Sequence, residues 1–252
     1  MNFFADKKMP VLTVILNGVT TVEDAVKTIR EGIEEGAEAF CYQIEQLPPA
    51  ERTYENLKRI IDAAEDKPTY ICCYRKEYDG VTQSDEENAE NLLTAMRAGA
   101  ALLDIRTDMF QPSPLEITTD EIAVKKQESL IRQIHEYGAG VLMSSHVRRY
   151  YDRDQVFSLM KMQKDRGADV CKVVGEANDE KELSEAFATS ALLNTELDAK
   201  YLFLVGGQNC KKHRQLGAFL GGSIFLCTVN SNPGLQPSIA NARALRDALE
   251  SY

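Results

Sequence analysis

The feature that most constrains this chain is a regular alternation of two kinds of segment along its length. Short runs rich in Val, Ile, Leu, Tyr and Cys recur, and each is followed by a stretch with the apolar periodicity of a helix. The apolar runs are Val11–Leu16, Ala39–Glu45, Thr69–Tyr74, Ala101–Ile105, Gly140–Ser145, Ala168–Val174, Tyr201–Val205 and Ser223–Val229. Capping residues such as Thr21 and Thr53 precede the helical stretches, and Gly36 and Gly138 end two of them. Strict alternation of strand and helix predicts a parallel sheet covered by helices.

The number of repeats favours a closed barrel over an open sheet. The 252 residues divide into eight units of about 31 residues, the size of a strand–helix repeat, with no segment left over. No linker rich in Pro, Gly or Ser interrupts the series. We therefore predict a single (β/α)8 barrel domain, of the TIM type, spanning residues 1–252. In such barrels the chemistry lies at the carboxyl ends of the strands and in the loops that follow.

Charge, hydropathy and cysteine usage exclude several classes of protein. The chain carries 39 acidic and 29 basic residues, so no basic excess is present to neutralise nucleic-acid phosphates. No apolar run approaches the ~20 residues that span a bilayer, and residues 1–10 lack a signal-peptide core. We therefore expect a cytoplasmic protein with no nucleic-acid or membrane partner. The six cysteines lack metal-ligand spacing, which predicts buried thiols and no metal site, and His135 and His213 are interpreted as helix-surface residues.

Lys172 is the most informative polar residue because it lies in the middle of an apolar run. Burying an ammonium group in a strand covered on both faces costs on the order of several kcal/mol unless it is paired or deprotonated. An isolated lysine there would have a lowered pKa and a nucleophilic amine, which predicts a lysine that forms an imine with a carbonyl substrate. The alternative is a structural ion pair with Glu45 or Asp104 across the barrel.

Other polar side chains lie at the ends of the predicted strands. His146 ends the fifth run, beside the run that carries Lys172, and can move protons near neutral pH. The alternative is a histidine that only caps a loop carbonyl. Arg75 and Arg106 end the third and fourth runs, and they favour an anionic substrate because arginine pairs with carboxylates and phosphates.

Several segments resemble motifs of the type I 3-dehydroquinate dehydratases. Val141–His146 is similar to the family's S-x-H-D-F stretch, and Ser158–Lys172 resembles L-x-K-M-x-x-x-G-A-D-x-x-K-I at the correct spacing. Tyr74-Arg75-x₃-Asp79-Gly80 resembles F-R-x₃-E-G-G, and Ser231–Gly234 resembles S-A-P-G-Q. The resemblance spans the chain, and most of the identity lies in its second half.

The resemblance implies a (β/α)8 dehydratase that needs neither a metal nor a cofactor and forms a homodimer. Lys172 would form an imine with 3-dehydroquinate or a related cyclic keto-polyol acid, a small anionic keto substrate. His146 would remove the proton alpha to the imine and then protonate the departing hydroxyl, and Asp79, where the family has Glu, would assist. The residues expected to bind substrate are Gln43, Glu45, Arg75, Arg106, Arg214, Ser231 and Gln236.

The segments expected to contact substrate depart from the family pattern. Cys41-x-Gln43-x-Glu45 stands where the family has E-x-R-x-D, and Asp104-x-Arg106 stands where it has D-x-E. Val147-Arg148 replaces Asp-Phe after the histidine. Two alternatives therefore stay open: another imine-dependent reaction such as an aldol cleavage, and a non-catalytic barrel that binds a small carboxylate or a protein partner.

Overall fold

The computed structural model describes residues 2–78 and 80–251 and forms a parallel barrel surrounded by helices. The barrel strands are β1 (Val11–Leu16), β2 (Ala39–Gln43), β3 (Thr69–Cys72), β4 (Leu102–Arg106), β5 (Gly140–His146), β6 (Val170–Glu176), β7 (Lys200–Gly206) and β8 (Ile224–Cys227). The α-helices in the described part of the chain are α1 (Val22–Glu35), α2 (Tyr54–Asp62), α3 (Asp85–Arg97), α4 (Glu121–Tyr137), α5 (Arg153–Asp165), α6 (Glu180–Glu196), α7 (Cys210–Leu216) and α8 (Ile239–Glu250). The predicted single-domain (β/α)8 barrel is confirmed.

The strands β1 to β7 pair in parallel with their sequence neighbours, and β8 pairs with β1. At the last junction, β7 and β8 form no paired ladder among the described residues. There Ser223 N donates to Tyr201 O at 2.8 Å, and Tyr201 N donates to Ser223 Oγ at 3.1 Å. The barrel is thus nearly closed, and the carboxyl ends of all eight strands meet at one mouth.

The helices begin and end where the capping residues predicted. The Thr21 hydroxyl accepts a hydrogen bond from Asp24 N at 3.1 Å, which satisfies one free amide at the start of α1. Ser84 and Glu87 form a reciprocal capping box at the start of α3. Gly36 ends α1 with φ of 92°, a left-handed conformation that glycine adopts without steric penalty.

Buried apolar side chains fill both the barrel interior and the layer between strands and helices. The interior includes Cys41, Tyr70 and Cys72 from neighbouring strands, and Phe3 packs among the interior residues. All six cysteines are buried and unbridged, as predicted. Within the described residues, no helix is both long and apolar enough to span a membrane.

The two helical histidines have opposite environments. His135 is exposed, as predicted, and its Nε2 lies 2.8 Å from Asp169 Oδ2. The predicted surface position of His213 is wrong, because its ring is fully buried between Phe187 and Phe203 at centroid distances of 5.3 Å. The basic run around His213 lies on a short helix, and one face of that helix packs against α6 and β7.

Candidate active site

Lys172 lies inside the barrel, where its amine is surrounded by three hydrogen-bond acceptors. Its side chain comes from the middle of β6, and the residue is only 5% exposed. Lys172 Nζ donates to Tyr74 OH at 2.8 Å, to Tyr70 OH at 3.1 Å and to Asp104 Oδ2 at 3.2 Å. Three acceptors match the three N–H bonds of an ammonium group. The structure therefore holds Lys172 as a fully satisfied cation.

Asp104 is the anion of this buried pair, and other donors converge on it. Tyr74 OH donates to Asp104 Oδ2 at 2.6 Å, Tyr70 OH donates to the same oxygen, and Ser144 Oγ donates to Oδ1 at 2.5 Å. Burial acts to raise the pKa of Asp104, but the Lys172 ammonium and these hydrogen bonds outweigh it and hold the pKa below the usual range. Asp104 is therefore ionised at neutral pH.

The charge state of Lys172 differs from the one expected of an isolated buried amine. Burial by itself lowers the pKa of Lys172, but the charge of Asp104 and its hydrogen bond, together with the neighbouring Cys72 and Cys41, outweigh burial and hold that pKa above the usual value. The predicted lowering of the Lys172 pKa is therefore wrong for this state, whereas the alternative of an ion pair with Asp104 is confirmed at 3.2 Å. Any attack by this amine must begin with the removal of a proton.

His146 is held by a carboxylate that the sequence did not indicate. Glu116 Oε2 lies 2.8 Å from His146 Nδ1 and also accepts a hydrogen bond from His146 N at 3.0 Å. Burial acts to raise the pKa of Glu116, but the contacts with His146 outweigh it and lower that pKa. An ionised carboxylate at Nδ1 requires a proton on that nitrogen, so the neutral ring has its lone pair on Nε2.

Glu116 comes from residues 107–120, the loop that follows β4 and folds back over the barrel mouth. Its backbone has φ of 52°, an uncommon left-handed conformation for a residue with a side chain. Ser145 Oγ donates to Glu116 O at 3.0 Å, and Glu116 N donates to Ser113 O at 3.1 Å. The first bond attaches the loop to β5 and the second closes a turn within the loop, so together they fix the carboxylate beside His146.

A cavity of about 380 Å³ lies at the mouth of the barrel. Its lining includes Gln43, Tyr74, Arg75, Arg106, Glu116 and His146. The structure thus brings His146 and three of the predicted substrate-binding residues to one site. Lys172 lies beneath this cavity, and the Tyr74 hydroxyl separates its amine from the lining surface. A cavity of this size accommodates one small ligand.

The two arginines at the mouth are accompanied by carboxylates. Arg75 Nε donates to Asp85 Oδ1 at 2.7 Å, and its Nη1 donates to Asp108 Oδ2 at 2.9 Å. Arg106 Nη2 lies 3.4 Å from Asp85 and 3.6 Å from Asp108. The mouth is therefore less cationic than the arginines alone predict, because two buried aspartates offset their charge.

Arg148 contributes a further positive charge to the cavity lining. Its side chain is exposed, and within residues 2–78 and 80–251 it makes no hydrogen bond or ion pair. Its backbone has φ of 49°, while Val147 N donates to Val174 O and Glu176 N donates to Arg149 O, both at 3.0 Å. The loop is thus fixed on both sides of Arg148.

Glu45 does not face the cavity: it is buried in a short 3-10 helix after β2, and its Oε2 accepts from Tyr74 N at 3.2 Å. Burial raises the pKa of Glu45 to about 7. Asp79 lies outside the described residues. Within those residues no group of three His, Cys, Asp or Glu side chains is arranged to hold a metal ion.

Comparison with models of protein families gives one match across most of the chain. A family model for type I 3-dehydroquinase matches residues 14–252. The chain belongs to this family. No curated protein matches the sequence significantly.

Solved structures of this family share the fold at low sequence identity. The 3-dehydroquinate dehydratase from Geobacillus kaustophilus is 13% identical, with a TM-score of 0.80 over 97% of this chain and 93% of that one. A type I enzyme from Clostridium difficile, solved with covalently modified comenic acid, is 14% identical, with a TM-score of 0.80 over 97% and 94%. A barrel of another kind, thiamine phosphate pyrophosphorylase from Pyrococcus furiosus, reaches a TM-score of 0.56 at 14% identity over 95% and 96%.

Three residues matched to type I 3-dehydroquinase motifs lie away from the cavity lining in this structure. Arg214 Nε donates to Val205 O at 2.9 Å, and burial lowers the pKa of this arginine. Ser231 is exposed, and its backbone N donates to Glu31 in α1 at 3.1 Å. Gln236 Oε1 is buried and has no hydrogen-bond partner in the described part of the chain. The structure therefore does not bring these three side chains to the cavity.

The site also includes residues that were not identified as site residues from the sequence, among them Tyr70, Tyr74, Glu116, Ser144 and Arg148. Tyr74 was recognised only as a motif position, and Tyr70 and Ser144 looked like ordinary strand residues. Strand alternation gives a signal for two of them, because Tyr70 and Ser144 lie on the same barrel-facing rows as Cys72 and His146. Glu116 has no such signal, because its position depends on how the loop folds.

Proposed function

We propose that the protein is a dehydratase that removes water from 3-dehydroquinate, or a related cyclic keto-polyol acid, through an imine on Lys172. Family membership supports the dehydratase reaction, and one observation in the structure supports the roles of the residues. Lys172 and His146 project from adjacent strands, in which Ser144 pairs with Lys172 and His146 pairs with Val174. Tyr74 contacts both, through its hydroxyl at 2.8 Å from Lys172 Nζ and its ring at 5.2 Å from the imidazole ring.

In this proposal His146 performs the proton transfers of the elimination. With Nδ1 bonded to Glu116, Nε2 accepts the proton alpha to the imine, and the electrons of that C–H bond form an enamine with the imine nitrogen as sink. The enamine then expels the substrate hydroxyl, which leaves as water with the proton from His146. Hydrolysis of the remaining imine releases the enone product and restores Lys172.

The substrate class follows from the size and charge of the cavity. Its volume of about 380 Å³ suits one small ring, and Gln43 offers both donor and acceptor atoms to substrate hydroxyls. Arg75 and Arg106 already lie against Asp85 and Asp108, so we assign the substrate carboxylate to Arg148. We also propose a cytoplasmic location and, from the family resemblance, a homodimer. Light scattering of the purified protein tests the homodimer.

The deciding experiment is reductive trapping of the imine. The protein is incubated with 3-dehydroquinate and borohydride, and the adduct is located by mass spectrometry while enone absorbance reports product. We expect an adduct on Lys172 and product formation in the wild type, neither in Lys172→Ala, and an adduct without product in His146→Ala. A folded wild-type protein that forms no adduct contradicts the proposal for this substrate, and a panel of other cyclic keto acids then tests the class.

A non-catalytic barrel that binds a small carboxylate is the second candidate. It is favoured by the observation that all three N–H bonds of Lys172 are occupied by Tyr70, Tyr74 and Asp104. This candidate predicts calorimetric binding of 3-dehydroquinate that is equal in the wild type and in Lys172→Met, with no adduct and no product in either.

A further inference from the structure

Tyr74 has a position that neither of the other two partners of Lys172 shares. Tyr70 and Asp104 are almost completely buried, whereas Tyr74 lines the cavity at the barrel mouth. Its hydroxyl lies 2.8 Å from Lys172 Nζ and 2.6 Å from Asp104 Oδ2. Among the described residues that contact the amine, Tyr74 alone also borders the cavity. A substrate in the cavity therefore reaches Lys172 past the Tyr74 hydroxyl.

The orientation of Tyr74 is fixed on two sides. Its backbone N donates to the buried carboxylate of Glu45 at 3.2 Å. Its ring meets the His146 ring edge to face, with 5.2 Å between centroids. The tyrosine is thus held between the amine that would form the imine and the histidine that would move the alpha proton.

We propose that Tyr74 is a catalytic residue whose hydroxyl carries protons from Lys172 Nζ to the carbonyl oxygen of the substrate during imine formation. This inference rests on the proposed function. The motif that Tyr74 matches has Phe at this position, so the hydroxyl is a property of this chain. The group on which the Tyr74 hydroxyl would act is the ketone of a substrate bound in the cavity.

The proton transfers balance without an external acid or base. One ammonium proton first leaves Nζ through the Tyr74 hydroxyl toward the carbonyl oxygen, and the electrons of the broken N–H bond remain on nitrogen as a lone pair. That pair forms the C–N bond with the carbonyl carbon as the carbonyl π electrons move to the oxygen, which takes the proton. A second proton from Nζ follows the same route as the C–O bond breaks. The oxygen leaves as water, and the nitrogen keeps one proton in the iminium. In each transfer Tyr74 gives up one proton and takes another, so its own protonation state is restored.

The environment of Tyr74 keeps the phenol protonated. Enclosure of its hydroxyl raises the pKa of Tyr74 well above the usual value, and the nearby Asp104 carboxylate acts in the same direction. Because the phenol is neutral, it can donate to the substrate oxygen while it accepts from Nζ. The pKa of Asp104 is low, so Asp104 stays ionised and does not take the transferred proton. It therefore holds Lys172 and Tyr70 in place while the Tyr74 hydroxyl turns from Asp104 to the substrate oxygen.

The test measures the rate of imine formation rather than overall turnover. Enzyme and 3-dehydroquinate are mixed and quenched with borohydride at short intervals, and the Lys172 adduct is quantified by mass spectrometry. We compare the wild type with Tyr74→Phe, with Tyr70→Phe, which removes the other phenol on Lys172, and with Tyr201→Phe. Tyr201 is a control because its hydroxyl donates to Ser190 O at 2.8 Å, in the layer outside the barrel.

We expect Tyr74→Phe to slow adduct formation by about 100-fold, because one proton-transfer group usually contributes a factor of about this size. The solvent deuterium isotope effect on the rate of adduct formation should also decrease. Tyr70→Phe should slow it less, and Tyr201→Phe should match the wild type. A Tyr74→Phe rate within about twofold of the wild type, with circular dichroism unchanged, overturns the role of Tyr74 alone. A wild type that forms no adduct overturns the proposed function as well. If Tyr74→Phe does not fold, 3-fluorotyrosine at this position gives the same test, and an unchanged rate there overturns the role.

Discussion

The Lys172–Asp104 pair predicts a large and specific loss of stability when one member is removed. Asp104→Asn keeps the shape of the side chain but leaves the Lys172 ammonium buried, 5% exposed, without its counter-charge. Removing one partner of a buried pair destabilises a protein by about 3–5 kcal/mol, because the remaining charge is uncompensated. Asp104 also accepts from Ser144 at 2.5 Å and from Tyr74 at 2.6 Å, so we expect a value within that range rather than below it.

A double-mutant cycle separates this cause from general disruption of the core. Free energies of unfolding are measured in urea for the wild type, Asp104→Asn, Lys172→Met and the double variant. Because removing both charges leaves neither uncompensated, the double variant should lose at least about 2 kcal/mol less than the sum of the single losses. Losses that simply add would refute the conclusion that this pair is coupled. The cycle needs no substrate, so it does not depend on the proposed function.

Three further predictions concern the other charged and titratable groups of the protein. Glu116→Gln should lower kcat by about 10–100-fold with little change in KM. The reason is that it weakens the hydrogen bond that keeps the proton of His146 on Nδ1. A pH profile of kcat that matches the wild type would contradict this prediction. Arg148→Gln should raise KM for 3-dehydroquinate about tenfold with kcat unchanged. Arg149 is the exposed neighbour of Arg148, and the control variant Arg149→Gln should leave both constants unchanged. Burial lowers the pKa of His213 from 6.5 to about 4, so the unfolded chain binds a proton before the folded one. The contribution of His213 to stability should therefore fall by about 3 kcal/mol between pH 6.5 and pH 4, measured by urea unfolding as the difference between the wild type and His213→Leu at each pH. Taking this difference removes the opposite pH dependence of Glu45, whose pKa burial raises. A difference that does not change with pH would contradict the prediction.

The barrel itself was predictable because its signal is repeated and local. Each strand is a short apolar run, and most helices begin or end at a residue with a definite capping role, such as Thr21 or Gly36. Errors in single segments do not change the number of repeats. The structure accordingly places each predicted strand within two residues of its expected bounds.

The site was predictable only in part, because side-chain partners depend on long-range packing. The position of Lys172 followed from strand order, but its charge state depends on Asp104, which lies 68 residues earlier in the chain. Glu116 reaches His146 through a loop whose backbone includes an uncommon left-handed residue, and no sequence period specifies such a conformation. His213 was placed on the surface because the basic residues around it concealed the buried face of a short helix.

The arginines at the mouth show why a charge at one motif position cannot by itself identify a substrate. Arg106 stands where the family pattern has an acid, which considered alone predicts a more anionic ligand. In the structure Asp85 and Asp108 lie between Arg106 and Arg75, so the four side chains together carry no net charge. Asp85 also lies in the first turn of α3, where the helix dipole favours an acidic residue, so its type alone does not reveal that it pairs with the arginines. The proposed binding of an anionic substrate therefore needs a positive charge outside that cluster, and among the described residues that line the cavity Arg148 supplies one.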